Sequence, residues 1–164
     1  MLRAICKDLG LDMRLRVGYV NSGGPEGAPA WISCPVPMPL YGTREFRSSL
    51  VTVYIRKDYL EQASFAMLVS TMAHEMCHAV LNGMRHVLRL QEEVVDLTAM
   101  ILGYREFYLT SIEKVTVETM PPGLQAFMQR LNMASFSSFE VEYEERSFGY
   151  LTARELRYAA SLMT

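Results

Sequence analysis

The spacing of apolar residues changes along the chain, from alternation near the start to threes and fours in the middle. Residues 2–9 predict a short helix. Residues 14–19 (RLRVGY), 30–34 (AWISC) and 50–56 (LVTVYIR) are short runs rich in branched and aromatic side chains, which predict strands, the third most strongly. Between the first two lies Asn21-Ser22-Gly23-Gly24-Pro25-Glu26-Gly27, a loop by its glycine, proline and asparagine content. Pro35, Pro37 and Pro39 follow the second run and disfavour regular pairing there. From residue 60 to 81 the apolar positions Phe65, Leu68, Val69, Met72, Met76, Ala79 and Val80 recur at helical spacing, and Asn82-Gly83 reads as the C-cap. After a short loop through His86, a second helix is expected over 88–109, with Val95, Ala99, Ile101 or Leu102, and Phe107 on its core face. Pro121-Pro122-Gly123 breaks the chain before a helix at 124–133. A strand is expected at 139–143 and a terminal helix at 152–162, entered through Thr152 and Glu155 at capping-box spacing. Strands, two long helices and a mixed tail make an α+β layout, read as a single domain over 1–164.

Composition narrows the function. The chain has 164 residues with 16 basic against 18 acidic side chains, a net charge of −2, so no basic excess drives it onto a phosphate backbone and a nucleic-acid partner is not expected. No apolar run approaches the roughly 20 residues needed to span a bilayer, so no membrane partner is expected either. Arg3, Lys7 and Asp8 interrupt the N-terminus where a signal peptide would be apolar, and Cys6, Cys34 and Cys77 make no disulfide framework. A cytoplasmic location is the expectation.

Positions 74–78 read His-Glu-Met-Cys-His. Residues four apart share a helix face, so His74 and His78 can present two imidazoles to one metal ion. Glu75 lies about 100° round the helix, placed to reach a water on that metal rather than the metal itself. With zinc as the ion, the water's pKa falls to about 7, and Glu75 acts as general base on it and then passes the proton to a leaving amine. With only three histidines in the chain, a chance HExxH is expected in roughly a few per thousand such sequences.

A third ligand is needed. The extended pattern with Gly at 81 and His at 84 is absent, since Leu81 and Met84 stand there. Residues 92–96 read Glu-Glu-Val-Val-Asp within an otherwise apolar helix, and unpaired acids there would be costly. Glu92 is the expected ligand, with Glu93 and then His86 as alternatives. Asp96, one turn on from Glu92, is placed to accept a hydrogen bond from the far nitrogen of a ligand histidine, His74 first. Cys34 lies in a proline-flanked loop and is expected to be an inert thiol rather than a zinc ligand.

With HEMCH at 74–78 and EEVVD at 92–96, the segment 50–104 resembles the HExxH zinc metallopeptidases (zincins), and most closely their gluzincin branch in compact form. The Thr71-Met72-Ala73-His74-Glu75 stretch after VTVYIR also resembles bacterial metallopeptidases of stress and phage-repressor regulation. The resemblance implies a small twisted, mainly antiparallel sheet packed on an active-site helix and a second, glutamate-bearing helix. It implies Zn2+ as cofactor and a peptide or protein substrate lying along an edge strand, which 50–56 would provide. It implies an oxyanion stabiliser too, for which Tyr104, Arg105 and Tyr108 are candidates by position, although core packing is the favoured reading of Tyr104 and Tyr108. The alternative is a catalytically silent regulatory or peptide-binding protein on the same scaffold, but a purely structural site has no need of Glu75. A nucleic-acid-tethered protease related to the SprT type, which needs a third histidine ligand and usually a basic or cysteine-rich tail, is disfavoured by the net charge of −2 and a C-terminal part without cysteine.

Overall fold

The computed structural model describes residues 1–25, 27–117, 142–147 and 149–163. The chain divides into two compact units, one of residues 1–112 with 147–164 and one of residues 113–146.

The first unit is a mixed α+β body. Its elements are α1 (Leu2–Asp8), β1 (Arg14–Val20), β2 (Ala30–Ser33), α2 (Arg44–Ser48), β3 (Leu50–Arg56), α3 (Lys57–Gln62), α4 (Phe65–Gly83), α5 (Glu92–Ala99), α6 (Arg105–Thr110) and α7 (Ala153–Ser161). The strands form an open three-stranded sheet in the order β1-β3-β2. β1 runs parallel to β3, with Arg14 opposite Leu50, and β2 runs antiparallel to it, with Ala30 opposite Ile55. Two expectations fail here. The sheet is mixed rather than mainly antiparallel, and the 50–56 strand is its centre, not its edge. Side-chain pattern shows which face of a strand is buried, whereas strand order depends on the path of the connections. The buried face is as the alternation requires: Val51, Val53 and Ile55 join one core with Val69, Met72, Met76 and Ala79 of α4. On its other flank α4 meets α1, where the Cys6 thiol donates to Met76 Sδ.

Local chemistry sets the helix limits. The 60–81 pattern is two helices, because Ser64 leaves helical geometry and its hydroxyl caps the Met67 N–H at 3.2 Å. At the other end Gly83 is still helical. The left-handed residue is Arg85 (φ 53°), and the His86 and Arg85 N–H groups close back on Leu81 and Asn82. Gly83 serves close packing instead: a Cβ there would lie 2.7 Å from a ring carbon of the buried Phe46. The 88–109 helix begins only at Glu92 and is broken by a π-helical turn over Met100–Tyr104, with Gly103 at φ 106°. The non-helical Gly103 kinks the chain there, and the helix restarts at Arg105. Met100, Tyr104 and Tyr108 are buried, while Ile101 and Leu102, expected inside, are exposed. The α7 capping box forms as expected, with Thr152 and Glu155 exchanging hydrogen bonds.

In the second unit β4 (Glu113–Val117) pairs antiparallel with β5 (Glu142–Arg146). Of the strand expected at 139–143, residues 142 and 143 belong to β5, and the rest lies outside the described residues. So do the 121–123 break and the 124–133 helix. Among the described residues no helix is long and apolar enough to cross a membrane.

Candidate metal centre

The i, i+4 spacing on α4 sets His74 and His78 one turn apart, with ring centroids 4.9 Å apart and planes 83° apart. Both turn Nε2 toward one carboxylate oxygen of Glu92, the first residue of α5. Oε2 lies 3.1 Å from His74 Nε2 and 3.2 Å from His78 Nε2. The buried Val95 and Ala99 hold α5 against the core and so fix where Glu92 stands. Ligand atoms of the three residues lie within 4.8 Å of one another, and among the described residues this is the one group of three or more such side chains that could hold a metal ion. The donor set fits zinc: tetrahedral bonds of about 2.0–2.2 Å put neighbouring donors roughly 3.3–3.5 Å apart, close to the two N···O separations seen. Glu93 is exposed. His86 is exposed beyond the end of α4, where its Nδ1 accepts the Leu88 N–H, so neither alternative joins the cluster.

Asp96, one turn along α5 and 1 % exposed, organises the site from behind. Its Oδ1 faces His74 Nδ1 at 2.7 Å and accepts the Tyr108 hydroxyl at 3.0 Å. Its Oδ2 accepts the backbone N–H groups of Tyr150 at 2.7 Å and Leu151 at 3.3 Å. Donation from Nδ1 leaves Nε2 as the atom offered to a metal. The loop before α7 reaches Asp96 only because residue 149 is glycine: its φ is 141°, and a Cβ there would sit 2.8 Å from Oδ2. The next residue, Tyr150, lays its ring on His74, with centroids 5.6 Å apart and planes 20° from parallel. Gly149 and Tyr150 were not among the sequence-derived site residues. A glycine-aromatic pair in a loop 54 positions from Asp96 carries no local signal of the contact.

The proposed oxyanion candidates have other partners. Tyr104 donates to Asp8 at 3.4 Å, Tyr108 is spent on Asp96, and Arg105 binds Glu106 and the Met163 carbonyl. Cys34 is half-buried, and burial together with the charge of Glu75 pushes its thiol up to about 11, which keeps it protonated and inert near neutrality.

Glu75 is buried, and burial pushes its carboxyl up to about 7; the charge of His74 and a backbone contact from Ile32 pull it down, while Glu92 and Asp96 push it up. A carboxyl held there can both take and return a proton near neutral pH. For His74, burial disfavours the charged ring, but the hydrogen bonds to Asp96 and Glu92 outweigh it and hold the pKa at about 9. Burial and the neighbouring His74 charge lower His78. Without a metal, then, the two carboxylates favour the charged form of His74, and burial beside it favours the neutral form of His78.

The sign of the pH effect follows. The raised His74 pKa stabilises the metal-free fold fully below the ordinary value of 6.5, and that contribution is lost as pH rises through about 9. A metal must displace the same proton. Between pH 6.5 and 9 the metal-free protein should therefore melt at falling temperature while its apparent zinc affinity climbs; calorimetry and chelator competition on one preparation measure both.

No protein-family model matches the chain, and neither a curated protein nor a solved structure matches it. What it does is read from the site itself: an α+β protein whose His-His-Glu group could hold a metal ion, with a buried carboxyl beside it.

Proposed function

We propose that this chain is a zinc-dependent peptidase of the zincin type, with His74, His78 and Glu92 holding the ion, Asp96 orienting His74 and Glu75 as general base. The observation that carries the reading is the convergence of two Nε2 atoms on one Glu92 oxygen, with the buried Glu75 carboxyl one residue away on the same helix. A bound divalent ion supplies Lewis-acid activation of water and of a substrate carbonyl. The chain does the rest. Glu75 accepts the proton of the attacking water, holds it in a site that favours the protonated carboxyl, and delivers it to the departing amine. Substrate backbone has an edge to pair with in β2, the terminal strand beside Glu75, rather than in β3. For the developing oxyanion the available donor is Tyr150. Its backbone N–H serves Asp96, while its phenol stands over His74 without a protein partner among the described residues.

The test is removal and return of the metal. Protein stripped by a strong chelator should lose hydrolysis of a broad peptide mixture, and one equivalent of zinc per chain should restore it. A zinc-loaded protein that cleaves nothing would support the silent peptide-binding alternative.

A further inference from the structure

Among the described residues the three-stranded sheet has two open edges, β2 beside Glu75 and β1 at the other end. β1 is the longer, seven residues in unbroken register with β3, and neither a proline nor a bulge blunts it. Only half of its backbone is used. The Arg14 N–H donates to the Ser49 carbonyl, so the even-numbered residues of β1 face β3. Leu15, Val17 and Tyr19 turn their N–H and C=O groups outward, where no partner meets them among the described residues.

The same three residues carry their side chains on the sheet face that holds Val51, Val53 and Ile55. At the rim the core does not cover them: Val17 is 39 % exposed, Tyr19 is 59 % exposed and Leu15 is half-buried. A row of unpaired amides flanked by partly exposed apolar side chains is what one more strand would cover.

The order of residues in β1 suits a copy of itself. An antiparallel copy centred on Val17 sets Arg14 against the partner's Val20, Arg16 against the partner's Gly18 and Leu15 against the partner's Tyr19. No arginine then faces an arginine, and the two Arg16 side chains meet only on the diagonal, about 7–8 Å apart. Centring on residue 16 would set Arg16 opposite its own copy, and centring on residue 18 would leave Arg14 and Leu15 beyond the paired strand. Gly18 favours the match as well. A Cβ there would lie 2.8 Å from the ring of Tyr54, which is stacked on Trp31. The guanidinium across the axis therefore meets bare backbone and an aromatic ring rather than a competing side chain.

We infer that β1 pairs antiparallel with β1 of a second copy of this chain about a two-fold axis at Val17, making one sheet in the order β2-β3-β1-β1-β3-β2. Val17 pairs with its own copy and Leu15 with the partner's Tyr19, each pair exchanging two backbone hydrogen bonds. Both β2 edges stay free at the ends of the sheet, so the pairing does not depend on what the metal centre does. Strands of seven residues make a small interface, which sets the dissociation constant at about 10–100 μM.

Sedimentation equilibrium of the full chain from roughly 1 to 300 μM tests it and should show a reversible monomer–dimer equilibrium. Val17→Lys and Val17→Glu, at a partly exposed position, each set two like charges at the axis and should weaken the dimer about 10-fold or more. An equimolar mixture of the two variants should associate again, as dimers of mixed composition. Val17→Pro removes an N–H that points away from β3, so it should be monomeric with the sheet intact, which repeats the reading without a new charge. A monomer at every concentration, a dimer unchanged in all three variants, or charged variants that stay apart when mixed overturns the assignment.

Discussion

Glu75→Gln is expected to keep its zinc and lose peptide hydrolysis by about 10³-fold or more, the upper part of the range for removal of a general base. The amide has the shape of the carboxyl and leaves His74, His78 and Glu92 untouched, but it has no oxygen basic enough to take a proton from water. A gain in stability should accompany the loss. Burial raises the Glu75 pKa to about 7, so the carboxyl's contribution is present below its ordinary value of 4.5 and lost as pH rises through about 7. Above that pH the wild-type protein holds a buried charge, and the glutamine variant does not. At pH 8 the variant should therefore melt higher while catalysing least, a combination that global misfolding cannot produce. Zinc stoichiometry, a melting curve and single-turnover cleavage on the same sample check it; undiminished cleavage would remove Glu75 from the mechanism.

Asp96→Asn is expected to cost about 2–5 kcal/mol of stability and to weaken zinc binding about 10- to 100-fold. All four partners of Asp96 are N–H or O–H groups aimed at its two oxygens. Asparagine keeps one of those oxygens and replaces the other with an NH2 group, so two donors are left facing a donor in a site 1 % exposed. Turning the amide over only changes which pair is orphaned. If the NH2 group faces the Tyr150 and Leu151 amides, the loop before α7 is displaced, and with it the Tyr150 ring on His74. If it faces His74, that ring loses the acceptor for Nδ1 and with it the bond that fixes the tautomer. Chemical denaturation reads the first effect and chelator competition the second. A variant with wild-type values in both would show that the four hydrogen bonds do not set the geometry of His74.

Much of the candidate site was legible because its logic is local. His74 and His78 share a face through the pitch of one helix. Glu92 and Asp96 repeat that spacing on the next, and acids set among Val94, Val95, Leu97 and Ala99 needed partners. The structure brings His74, His78 and Glu92 together and sets Asp96 behind His74. The capping chemistry at Thr152 was equally local. What failed was longer in range or finer in scale. The 88–109 pattern gave no warning that a kink at Gly103 would leave Ile101 and Leu102 exposed and Met100, Tyr104 and Tyr108 buried. Tyr104 and Tyr108, oxyanion candidates by position alone and favoured as core residues, are indeed buried in the core, with their hydroxyls on Asp8 and Asp96.

The amino-acid sequence alone determined the periodicities: which residues of α4 turn inward, which imidazoles stand together, and which alternate residues of β3 are buried. These depend on the rise and turn of single elements, properties each segment carries within itself. Tertiary structure decided that β3 lies between β1 and β2, that β2 is the edge beside Glu75, and that a glycine 53 positions after Asp96 lets two backbone amides close on its carboxylate. Those outcomes depend on how separate segments meet in space, and a contact between distant positions leaves no period in either of them.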